Sequence, residues 1–173
     1  MKKDIKIRNG NASDLAEIMS ISKSLDKWFN EDGIKYIEQD FAYEKTIIAE
    51  VDSKPIGFLS FFTYEGIGYL GWIGVYENYH GSGVGKLLFD EFEKIMKKDD
   101  ISTLQVKTLG ESVPYPPYDR TRSFYKKMGF TKYRSEFTDN PGCPEELILK
   151  KNIVSCPISK FKKIQGAVPS CRA

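Results

Sequence analysis

A chain of 173 residues, 40% apolar and 29% charged, with a mean hydropathy of −0.42, suits one compact domain that folds alone. This balance excludes disordered, collagen-like and disulfide-scaffold chains. The formal charge of +2 hides a mildly acidic domain, because residues 152–173 carry Lys160, Lys162, Lys163 and Arg172 without an acid, which leaves nucleic-acid binding to rest on that terminal segment alone. In chain order, Asp4 to Arg8 reads as a strand, and the polar Asn9–Asp14 run leads into a helix bearing Leu15, Ile18, Met19 and Ile21. A second helical stretch covers about Leu25 to Gln39. Three strand-like runs follow, Thr46 to Val51, Ile56 to Thr63 and Tyr69 to Val75, and the short turns between them imply an antiparallel meander.

After Val75 the period changes. Val84, Leu87, Leu88, Phe92, Ile95 and Met96 recur at three- and four-residue steps, which predicts an amphipathic helix from about Gly83 to Lys98. A strand at Thr103 to Thr108, reached through that helix, pairs in parallel with the strand at Tyr69 to Val75 through a right-handed crossover. A proline- and tyrosine-rich loop, Leu109 to Tyr118, has the length and stiffness of a site wall or of a rigid surface loop. A short helix at Arg120 to Met128, a strand near Thr131 to Phe137, a turn at Asp139–Gly142 and a last strand at Leu147 to Lys151 complete the domain. The fold expected is α+β, a mixed and mostly antiparallel sheet with flanking helices over residues 1–151. Residues 152–173, broken by Pro157, Gly166 and Pro169, read as a flexible basic tail.

The longest nearly apolar runs, Ile56 to Tyr64 and Ile67 to Val75, reach about half of the ~20 residues that span a bilayer. The opening Met1–Arg8 alternates charged and apolar residues and lacks the apolar core of a secretory signal, so a cytoplasmic location is expected. Cys143, Cys156 and Cys171 form no CxxC or Cys/His pattern, which predicts free thiols and no metal site.

The chemistry-bearing segment is His80-Gly81-Ser82-Gly83-Val84-Gly85-Lys86, placed between a strand and the start of an amphipathic helix. Unpaired backbone N–H groups and the helix dipole favour an anion there, and glycines admit close approach. A phosphate-binding P-loop is excluded by His80 and Leu87, and a dinucleotide fingerprint by Lys86 or Leu88, according to its starting glycine. The segment resembles the Arg/Gln-x-x-Gly-x-Gly/Ala signature of the GCN5-related N-acetyltransferase (GNAT) family, with His80 in place of Arg or Gln. Phe124-Tyr125-Lys126-Lys127-Met128-Gly129-Phe130 is similar to that family's second hallmark, with Tyr118 where an Asn often begins it.

The resemblance implies a splayed parallel strand pair, ending at Val75 and Thr108, that admits the pantetheine arm of acetyl-CoA. It assigns cofactor contacts to Val75, His80, Gly81, Ser82, Gly83, Val84, Gly85 and Lys86, and the role of general acid to Tyr125. The implied activity is direct acetyl transfer to a primary amine in a ternary complex, from acetyl-CoA and without metal. Its alternatives are a protein or peptide amine acetyltransferase and a non-catalytic acyl-CoA sensor. An amine near pKa ~10 is about one part in a thousand neutral at pH 7, so a proton acceptor is needed. Glu65, Glu77, Glu44 or water could serve, and the sequence does not choose among them. Residues 28–44, which overlie the acceptor in this family, hold Glu31, Asp32, Glu38, Asp40 and Glu44 against Lys35, as suits a cationic amine. The expected partner is thus a small-molecule or peptide amine, with no nucleic acid and no membrane, and a homodimer left open.

Overall fold

A computed structural model describes residues 4–154. Its elements are β1 (Lys6–Asn9), α1 (Leu15–Ser24), α2 (Glu31–Asp40), β2 (Lys45–Val51), β3 (Lys54–Tyr64), β4 (Ile67–Val75), α3 (Val84–Lys98), β5 (Thr103–Leu109), α4 (Pro116–Lys127), β6 (Thr131–Phe137) and β7 (Glu145–Asn152). The seven strands form one sheet in the order β1-β2-β3-β4-β5-β7-β6, antiparallel throughout except for the parallel pair β4–β5. The expected mixed α+β architecture is the one found. No helix among the described residues is long and apolar enough to cross a membrane.

Period-two alternation in the central strands feeds two cores. Ile47, Ala49 and Val51 of β2 with Leu59 and Phe61 of β3 join Val84, Leu88, Phe89, Phe92 and Met96 of α3 on one face. On the other face, Ile48 and Phe58 meet Ile18, Ile21 and Leu25 of the α1 segment and Ile37 of α2. The stripe of α3 differs from expectation at one flank: Leu87 is exposed and Phe89 is buried.

Two helix boundaries depart from the sequence reading. Residues 25–30 are not helical, because Asn30 caps α2 with its side chain accepting from the Gly33 N–H at 2.8 Å. Helix α4 starts at Pro116, ahead of the expected Arg120, since prolines at its first positions bring a helical φ and lack only an N–H that would have no partner there. The loop before it is correspondingly short, and Arg122 Nη1 pins it by donating to the carbonyls of Leu109 and Gly110 at 2.8 and 3.0 Å.

At the C-terminal end, β7 continues through Asn152, and Ile153 is buried while its N–H bonds Ser102 O at 2.9 Å. The packed chain therefore passes the expected boundary at 151, and the rest of the expected tail, with Cys156 and Cys171, lies outside the described residues. A chain cut after Val154 should melt as the full chain does. One cut after Lys151 should lose about 2 to 5 kcal/mol with the Ile153 side chain, by calorimetry or denaturant titration.

Candidate active site

The site is made where β4 and β5 part. Their pairing ends at Leu70↔Val106, although β4 runs on to Val75 and β5 to Leu109. Between Leu59 and Phe61 the β3–β4 register slips, so that Gly71 and Trp72 of β4 stand opposite Ser60 alone. The extra residue bends β4 away from β5, and the Ser60 hydroxyl accepts the Trp72 N–H at 2.9 Å in place of a ladder carbonyl. The resulting fork opens into a cavity of about 1380 Å³ bordered by both strands, the glycine turn, α4 and the α1–α2 connection.

Beyond Val75 the chain makes a single 3₁₀ turn and reaches the glycine segment. Gly81 and Gly83 take φ of +76° and +91°, a left-handed region open to glycine, and a Cβ on either would meet nothing within 4 Å. The first intrahelical bond of α3 runs from the Leu87 N–H to Gly83 O, so the amides of Val84, Gly85 and Lys86 precede the ladder at the cavity edge. Lys86, Arg120 and Lys127 also border the cavity. A roomy glycine turn at the start of a fifteen-residue helix fits a phosphate-bearing group.

The His80 ring is turned back instead, with Nε2 2.7 Å from Val75 O and its edge toward Trp28 at 5.4 Å between centroids. The Ser82 hydroxyl likewise donates to Tyr79 O at 2.5 Å. Both side chains brace the turn. Tyr125 is buried at 3% exposure beside Phe124 and Phe130, yet borders the cavity from α4. Burial pushes its phenol well above the ordinary tyrosine range.

Residues 42–132, more than half of the chain, match the model of an acetyltransferase (GNAT) domain. The chain belongs to the GNAT family, the GCN5-related N-acetyltransferases. Among solved structures, a Desulfovibrio desulfuricans protein assigned to this family aligns with a TM-score of 0.74 at 18% identity, over 86% of this chain and 99% of that one. The ribosomal-protein-S18-alanine N-acetyltransferase of Escherichia coli aligns at 0.72 and 16% identity, over 91% and 99%. The PaiA N-acetyltransferase of Thermoplasma acidophilum, in complex with coenzyme A, aligns at 0.68 and 23% identity, over 87% and 99%. No curated protein matches the chain.

In this GNAT chain the three carboxylates considered as bases fall in different places. Glu65 sits in the exposed β3–β4 turn and does not itself border the cavity. Glu77 is exposed and paired with Lys27 at 2.8 Å. Glu44 borders the cavity, and burial raises its carboxyl to about 7, with Asp40 adding to the rise and a Ser60 hydrogen bond opposing it. Among the described residues, no three His, Cys, Asp or Glu gather as a metal would require.

Several cavity residues escaped the sequence reading. Trp28 Nε1 donates to Pro117 O at 3.1 Å, and the Tyr118 hydroxyl donates to Trp28 O at 2.8 Å, which ties the α1–α2 connection to the start of α4 across the groove. Trp72 Nε1 donates to Asp40 Oδ2 at 2.8 Å. The sequence signal was aromatic residues interleaved with acids over 28–44, of which only the acids were counted. The expected Leu109–Tyr118 segment borders the cavity through Val113 and Tyr115 of the loop and Tyr118 of the first turn of α4.

Proposed function

We propose that this GNAT domain transfers the acetyl group of acetyl-CoA to a primary amine by direct attack within a ternary complex. The observation that carries the reading is the fork itself: a parallel strand pair that parts at Leu70↔Val106 and opens onto a glycine turn at a helix N-terminus. The backbone amides of Gly81 and Gly83 to Lys86 hold the phosphates of the co-substrate, with Arg120 and Lys127 adding positive charge while the Lys86 ammonium pairs with Asp90 at 2.5 Å. His80 and Ser82 serve this cradle by bracing it. Val75 ends the strand along which the thioester arm lies. The bound co-substrate supplies an activated acyl group. Tyr125 donates the proton that the departing sulfur requires, and its burial keeps that proton in place at neutral pH.

The charge distribution supports a cationic acceptor. Asp40 and Glu44 border the cavity beside Trp72 and Gly71, where the strands part, whereas Lys86 borders it from the first turn of α3. Acidic groups at the fork and a basic group at the glycine turn would hold a polyanionic donor and a cationic acceptor in one orientation.

Acetyl-CoA should raise the melting temperature, since a ligand specific for the native state adds ~2.7 kcal/mol at one hundred times its dissociation constant. Thermal melting at millimolar acetyl-CoA, beside a free-CoA release assay over an amine panel, checks this. The absence of any shift would overturn the donor assignment.

A further inference from the structure

Glu44 lies between α2 and β2, and its carboxyl sits directly over Gly71. A Cβ on Gly71 would come within 2.2 Å of Oε2 and 2.6 Å of Oε1, so glycine is what permits the approach. Gly71 is the first residue of β4 beyond its last pair with β5, which puts the carboxyl at the crotch of the fork. Oε2 is wholly buried and has no hydrogen-bond partner.

The surroundings suit one kind of guest. Asp40 stands nearby on α2, held by the Trp72 indole N–H. Phe29 meets Trp72 edge-on at 5.9 Å, Phe62 stacks on Tyr69 at 4.9 Å, and all four rings border the same cavity. Glu44 is half-buried and borders the cavity, and with one oxygen buried without a partner its charge is best balanced by a cationic N–H donor at that border. Aromatic walls attract a cation and accommodate an apolar body. An anionic acceptor would be repelled by both carboxylates, and a neutral donor would lack the charge that draws an ammonium to them.

We propose that Glu44, Asp40 and these rings form an acceptor subsite for a primary ammonium carried on an apolar or aromatic body, with Glu44 the base that takes its proton. This rests on the acetyl-transfer reading above. The ammonium gives one proton to the Glu44 carboxylate, and the freed lone pair forms a C–N bond with the thioester carbonyl carbon. A second proton leaves the nitrogen for water as the C–S bond breaks, and the thiolate takes a proton from Tyr125. Solvent then restores the tyrosine and receives the proton of Glu44.

The titration of Glu44 offers a signature. Of the elements around it, α2 brings Asp40, β3 the Ser60 hydroxyl, and β4 Gly71, while its chain neighbours Tyr43 and Lys45 are exposed. Asp40 is the charged group acting on it, and it raises the carboxyl further. Activity should therefore rise with pH through about 7. The same shift fixes the sign of its effect on stability. A carboxyl whose folded value lies above its unfolded one favours folding at low pH, and that contribution is lost as pH rises from the unfolded value through about 7. Glu44→Gln should thus melt no lower than the parent at neutral pH.

The test uses 2-phenylethylamine, with 2-phenylethanol as its uncharged isostere. The amine should bind and be acetylated. Glu44→Gln should lower kcat by about 10² to 10³ and abolish the limb near pH 7, leaving the acetyl-CoA melting shift intact. Asp40→Asn should move that limb to lower pH. In calorimetry the amine should bind about 10- to 100-fold tighter than the alcohol, and Glu44→Gln should erase the difference. A variant with parental kcat and pH profile would overturn the assignment of the base. Equal binding of amine and alcohol, or no binding of either, would overturn the subsite. Loss of the acetyl-CoA shift in the parent protein would instead defeat the transfer reading, and the comparison of amine with alcohol still decides the subsite.

Discussion

Gly85→Asp should fold normally and lose all stabilisation by acetyl-CoA. Gly85 is the second residue of α3, with ordinary helical backbone, and a Cβ there would touch Phe124 at 3.3 Å, a contact that a small shift of the ring relieves. An acidic residue in the first turn of a helix favours the helix, and replacing glycine lowers the entropy of the unfolded chain. Folding should therefore not suffer. The same carboxylate, however, would stand in the cradle proposed for the phosphates. Two like charges about 4 Å apart repel by about 4 kcal/mol at an effective dielectric of about 20, or roughly a thousandfold in affinity. Thermal melting with millimolar acetyl-CoA should show no shift, and the KM for acetyl-CoA should rise about a thousandfold, whereas Gly85→Ala should lose little. Gly83→Val is the poorer probe, because a β-branched residue at φ +91° strains the backbone and mixes folding with binding. A parental acetyl-CoA shift in Gly85→Asp would place the phosphates elsewhere.

The strands and α3 were legible because burial imposes a period on sequence. Ile47 to Val51 and Phe58 to Phe61 alternate between two covered faces, and Val84, Leu88, Phe92 and Met96 fall on one side of a helix. The glycine turn was legible for a local reason, since positive φ at Gly81 and Gly83 calls for glycine. Local pattern failed where the decisive partner is distant in sequence. Leu25, Trp28 and Phe29 look like a helix start because they are apolar, but they pack on the second core from a turn that Asn30 ends. The separation of Glu44 from Glu65 and Glu77 depends on Gly71, 27 positions downstream of Glu44, and on a slip in β3–β4 register that no periodicity announces. Likewise, Tyr118 departs from the family hallmark, and its hydroxyl reaches Trp28, 90 residues away.

Tyr125→Phe should lower kcat by about 10² to 10⁴ while leaving acetyl-CoA binding and stability nearly unchanged. The ring is already placed as a core side chain, 5.4 Å from Phe124 and 5.8 Å from Phe130 between centroids, and phenylalanine preserves those contacts. What changes is the hydroxyl at the cavity. Because burial raises the phenol above its ordinary value, it stays protonated across pH 6 to 9, and its contribution should not titrate within that range. The loss should therefore be uniform with pH, unlike the loss from Glu44→Gln, which removes a limb near pH 7. The KM for acetyl-CoA should hold, since the donated proton matters only as the C–S bond breaks. Phe130→Ala is the packing control: it should cost roughly 3 to 5 kcal/mol of stability, because Phe130 is buried at 3% exposure against Tyr125 and Phe89. Full turnover by Tyr125→Phe from pH 6 to 9 would make the tyrosine a core residue only, and the sulfur would then take its proton from water or another group.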